Sequence, residues 1–136
     1  MNKKIFLIGI LLVLAVSVVA VSAVNITTPD GFEVKKDLSY ENKEVTFMGV
    51  DAKQNVTVMQ KDNQQINAST FELSKDANLT RDGMKQSIVE KAISGKQGFF
   101  EEKDGKCVFI FQDPDNKKVI VQIEAPSEDL IQAVLK

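Results

Sequence analysis

The sequence predicts an α+β domain: an antiparallel sheet of five to six strands packed by two helices, behind an N-terminal signal or anchor segment. Three observations carry this expectation. Short runs that alternate apolar and polar residues recur along 32–60 and again along 98–124, the period of half-buried strands. Two stretches, opened by Thr80 and Ser127, instead space apolar residues three and four apart, as on one face of a helix. Residues 1–23 carry Lys3 and Lys4 and then a long uncharged apolar run.

That first segment is read as a secretory signal. The lysines hold the N-terminus on the cytoplasmic side, the apolar run enters the translocation channel, and small residues suit the peptidase. Val21 and Ala23 stand at −3 and −1 of a cleavage after Ala23, and a second arrangement cleaves after Ala20 with Val18 at −3. The competing reading is an uncleaved anchor, because residues 5–24 form 20 uncharged positions and roughly 20 apolar residues span a bilayer as a helix. Under both readings residues 24–136 form one domain outside the cytoplasmic membrane, secreted or held at its outer face. In the uncleaved case the segment is also the membrane contact.

Within that domain, 24–28 reads as a short strand and Pro29-Asp30-Gly31 as a turn. Phe32 to Lys35 alternates as a strand, and 37–43 is a polar connection. Residues 44–50 and 55–60 read as two strands joined through Asp51 to Gln54, with Val56 and Val58 on one face and Asn55 and Thr57 on the other. The stretch 61–79 is polar and reads as a loop, with a brief strand at 70–73. Thr80 as N-cap, Asp82 near the positive end of the dipole and Gly95 as the stop frame a first helix, whose stripe is Met84, Ile88, Val89, Ala92 and Ile93.

Three strands follow, at 98–102, 107–112 and 118–124, with Asp104-Gly105 as the first turn and Asp113 to Asn116 as the second. Cys107, Phe109 and Phe111 share one face of the middle strand, and Val108 and Ile110 the other, so that strand is central. Ser127 caps a terminal helix with Glu128 and Asp129 in its first turn and Leu130, Ile131, Val134 and Leu135 on its buried face. The two halves thus share an order of three strands and a helix. Residues 31–37 resemble 98–104, and 45–51 line up with 107–113. One reading is a duplicated βββα unit; the other is that apolar hairpins with Asp-containing turns look alike.

Composition narrows the function. Residues 1–23 hold two of the 17 basic residues and none of the 19 acidic ones, which leaves 24–136 at −4. A mildly acidic surface without basic clusters argues against nucleic-acid binding. The single cysteine, Cys107, rules out an internal disulfide and also a lipid-bearing cysteine after the signal. The absence of histidine removes the commonest general base and metal ligand. Asp113-Pro114-Asp115-Asn116 lacks the glycine and the closing glutamate of a calcium loop. Glu101 and Glu102, adjacent on a strand, point to opposite faces, and Glu128-Asp129 opens a helix. No catalytic, cofactor or metal site is expected.

Four acceptor sequons stand out: Asn25, Asn55, Asn67 and Asn78, each followed by X-Ser/Thr. With 8 asparagines and 14 serines and threonines in 136 residues, chance supplies about 0.8 matches to this pattern. The excess reads as a glycosylated surface domain or, equally, as an asparagine-rich polar surface.

Thr28-Pro29-Asp30-Gly31-Phe32 near the start, and Val119 to Ile123 leading through Pro126 into the last helix, resemble the PsbP-like fold family. The chain departs from that family in its short length and in lacking a lipid-carrying cysteine. The resemblance implies helices packed on an antiparallel sheet and a non-catalytic, extracytoplasmic accessory or binding role, with no functional residues carried over. The expected function is accordingly a binding or accessory module whose partner is a protein or surface ligand. The alternatives are a structural, N-glycosylated cell-surface protein and, less favoured, a small carboxylate-dependent hydrolase.

Overall fold

The computed structural model describes residues 24–136; the segment read as a signal or anchor and the cleavage expected after Ala23 lie outside the described residues. The fold is a single eight-stranded antiparallel sheet with one short helix among the described residues. The strands are β1 (Glu33–Val34), β2 (Tyr40–Phe47), β3 (Val50–Lys61), β4 (Gln64–Leu73), β5 (Val89–Ile93), β6 (Lys96–Lys103), β7 (Lys106–Gln112) and β8 (Val119–Ala125), followed by α1 (Glu128–Val134). Their spatial order is β1-β3-β4-β8-β7-β6-β5, with β2 also on the free edge of β3. Two meanders, β2-β3-β4 and β5-β6-β7-β8, are therefore joined side by side where β4 pairs β8.

This corrects the two-helix α+β expectation. The stretch 80–95 is not a helix. It forms two isolated turns, Arg81 O to Met84 N and Lys85 O to Ile88 N, and then β5. Gly83 adopts φ +82° in what would have been the helix interior. The apolar stripe was misleading because Ile88, Val89 and Ile93 are β-branched and favour strands. Gly95 was misleading because a helix stop and a two-residue hairpin turn both need positive φ. Here Ser94-Gly95 (51°, 80°) is the hairpin turn from β5 to β6. Without that first helix, the duplicated βββα reading also falls.

Three other expectations shift. The hairpin placed at 51–54 turns earlier, at Met48-Gly49 (56°, 76°), so 51–54 belong to a twelve-residue β3. The stretch 61–79, read as mostly loop, contains β4, which is paired on both sides over most of its length. Residues 24–28 are not a strand; the Thr27 N–H donates to Val134 O at the end of α1 (2.8 Å).

The rest of the second meander, β6 to β8, follows its local signals. Asp104-Gly105 turns with both φ positive (55°, 77°). Asp113 closes its turn by accepting the Asp115 N–H at its carboxylate (2.9 Å). Ser127 accepts from Leu130 N (3.3 Å) and caps α1. Ile131, Val134 and Leu135 then bury on the sheet, against Phe109, Phe111, Val121 and Ile123. Phe32, Met59 and Ile66 extend this core toward the first meander. We call this side the helix face.

A smaller cluster lies on the opposite face, made of Val50, Ala52, Phe71, Leu73 and Ile120. Phe47 stacks on Phe71, ring centroids 4.4 Å apart and 19° from parallel. The segment 74–88 crosses this face and packs Ala77 and Leu79 against the cluster. The Gln112 amide pins it there, donating to Ala77 O (2.5 Å) and accepting from Leu79 N (3.2 Å). Among the described residues no helix is long and apolar enough to cross a membrane.

Candidate functional site

The two faces are covered unequally. Segment 74–88 shields only one end of the opposite face, and beside it a shallow groove of about 430 Å³ stays open. Leu38, Tyr40, Val56 and Val58 line its apolar side. Gln54, Gln65, Asn67, Ser69, Gln122 and Glu124 supply its polar atoms. Strand register brings them together: Val56 lies opposite Ser69, Val58 opposite Asn67, Ser69 opposite Gln122 and Asn67 opposite Glu124. Because side chains alternate between faces of a strand, Gln65, Asn67 and Ser69 all point into the groove while Ile66 and Ala68 enter the core.

These side chains are linked in two rows. In one, the Tyr40 hydroxyl donates to Gln54 Oε1 (3.3 Å), and Gln54 Nε2 donates to Ser69 Oγ (3.4 Å). In the other, Gln60 Nε2 donates to Gln65 Oε1 (2.8 Å) and Gln65 Nε2 to Asn67 Oδ1 (3.0 Å). Asn67 Nδ2 then donates to Glu124 Oε1 (3.4 Å), and Lys106 Nζ stands 3.5 Å from Glu124 Oε2. Ser69 is 92 % shielded from solvent. The rows thus fix amide orientations on a surface where side chains otherwise rotate freely.

A larger depression, about 690 Å³, lies at the far end of the sheet. Among its charged residues, which also include Asp51 and Lys118, Glu44, Lys53 and Glu72 are exposed and face one another in register across β2, β3 and β4. Such a row of alternating charges serves solvation and strand pairing, and the groove is the better-built site.

The residues singled out in the sequence scatter. Asn25 and Asn78 are exposed. Asn55 is half-buried, and its Oδ1 accepts the Asn42 N–H (2.7 Å) at the bulge in β2. Asn67 is part of the groove. Glu101 accepts from Ser87 Oγ (2.8 Å), whereas Glu102 lies on the helix face opposite Cys107. Glu128 pairs with Lys91 (2.7 Å), whose Nζ also lies over the Phe100 ring. Burial pushes the Cys107 thiol above its ordinary value; Glu102 and Glu128 add to the shift and Lys91 opposes it. Sequence reasoning missed Gln54, Gln65, Ser69 and Gln122. The one signal for them was the alternation of amides with Ile66 and Ala68 in a stretch poor in other apolar residues.

In comparisons with protein-family models, curated proteins and solved structures, nothing matches the chain.

Proposed function

We propose that residues 24–136 are a non-catalytic binding or accessory module that works outside the cytoplasmic membrane and takes its ligand in the groove beside Tyr40. The observation that carries this reading is the pair of hydrogen-bonded rows on an otherwise open sheet face. Immobilising long amide side chains costs up to about 1.5–2 kcal/mol each, and a surface that has already ordered them loses less when a ligand arrives. The lining holds one carboxylate, Glu124, engaged with Asn67 and Lys106; glycoside cleavage uses two carboxyl groups across a cleft.

The test is sedimentation of the labelled domain with cell envelopes from its native host. Saturable binding that falls in Gln54→Ala and Gln122→Ala supports the module. Absence of binding, or binding equal in all three proteins, refutes it.

A second reading, a glycosylated structural surface protein, draws on the exposure of Asn25 and Asn78. It is tested by glycopeptide mapping, taken up in the Discussion.

A further inference from the structure

The groove also specifies a ligand chemistry, an inference that rests on the binding-module reading. We infer that it binds a neutral, polyhydroxylated chain, an oligosaccharide, through Gln54, Gln65, Asn67 and Gln122 with Tyr40 beside them.

Three features of the groove select this class. First, β3, β4 and β8 have both backbone edges engaged along the groove. A peptide cannot add there as a strand, so recognition falls to side chains. Second, each of the four amides both donates and accepts hydrogen bonds. That matches hydroxyl groups, which do the same, better than it matches an anion or a cation. The one acidic group, Glu124, already faces Lys106 at 3.5 Å, so the groove presents no net field for a charged ligand.

Third, the apolar residues are arranged for a ligand with both polar edges and apolar faces. Tyr40 is 37 % exposed, lines the groove and holds its hydroxyl on Gln54, with Lys43 Nζ 5.1 Å from its ring centre and Val56 and Val58 in the floor. A sugar ring offers hydroxyls at its edge and C–H groups on its face, and an aromatic with a polar tip suits both. Side chains two apart on a strand stand about 7 Å apart, and neighbouring strands about 5 Å. The grid of amides therefore repeats on the scale of one sugar unit, and extends over more than one.

Tyr40 supplies the assay. It is the only tyrosine in the chain, and there is no tryptophan, so intrinsic emission comes from the groove. The probes are cellotetraose, maltotetraose, mannotetraose and chitotetraose, with tetragalacturonate as the acidic control. At least one neutral probe is expected to change Tyr40 emission saturably, with a Kd of about 1 mM or tighter, and to shift the backbone amides of β3, β4 and β8. Gln54→Ala and Gln122→Ala, checked for unchanged thermal unfolding, should each weaken that binding about tenfold. Lys53→Ala, at the other depression, should not.

No saturable response to any neutral probe up to about 10 mM, tighter binding of the acidic control, or full affinity in both glutamine variants overturns the inference. If groove-dependent envelope binding persists while the neutral probes fail, the ligand class is wrong and the module stands. If both fail, the module reading falls with it.

Discussion

Asn67 donates its amide N–H to Glu124 across the β4–β8 pairing, 3.4 Å away, and this contact sets Asn67 apart from the exposed sequons. A sugar is attached through that same nitrogen, so a glycan on Asn67 would crowd the Glu124 contact and occupy the groove. Asn55 is half-buried with its oxygen on the Asn42 N–H. Asn25 and Asn78 are exposed. Glycopeptide mapping of protein from its native host is expected to find sugar at Asn25 and Asn78 and bare side chains at Asn55 and Asn67. Sugar on Asn67 would mean that the groove is closed in the mature protein.

Gly98 of β6 lies opposite Phe111 of β7. A methyl group there would run into the Ile110 carbonyl oxygen and lie 2.8 Å from Phe111 Cβ and 2.9 Å from Phe109 Cζ. Those rings are fully buried and cannot withdraw without disturbing the core. Gly98→Ala is expected to lower stability by roughly 2–3 kcal/mol, seen as a lower urea midpoint at unchanged m-value.

Gln112 holds segment 74–88 on the sheet through Ala77 O and Leu79 N, and its amide also donates to Lys117 O (2.9 Å). Gln112→Ala removes these bonds together and is expected to cost about 1–3 kcal/mol. The loss should be local. Hydrogen exchange at the Leu79 amide should accelerate much more than at Phe109, which sits in the centre of the sheet.

Cys107 is 3 % exposed, and burial raises its thiol above the ordinary 9.0. The folded-state value exceeds the unfolded one. The stabilisation is therefore complete below the unfolded value and is lost as pH climbs toward the folded one. The urea midpoint should decline more steeply at alkaline pH in the native sequence than in Cys107→Ala. Iodoacetamide at mildly alkaline pH should label the unfolded chain and spare the folded one, because the protonated, shielded thiol is a poor nucleophile.

The sequence by itself determined β6, β7, β8 and the terminal helix. Asp104-Gly105, the alternating Cys107–Phe109–Phe111 row and the Ser127 cap are local signals, readable within a few residues and supported by packing of the same period. It did not determine β5, where one stripe served two periods and Gly95 suited either ending. Of β4 it showed only the end, 70–73, because Gln65, Asn67 and Ser69 carry no hydrophobic signal and read as loop.

Only the tertiary structure decided that those same polar residues make a site. Asn67 and Glu124 are 57 positions apart, and nothing near either residue specifies the other. An amide's role depends on which partners strand register sets opposite it, and on whether a covering segment stops short. Both follow from pairing β4 with β8, the long-range contact that joins the two meanders.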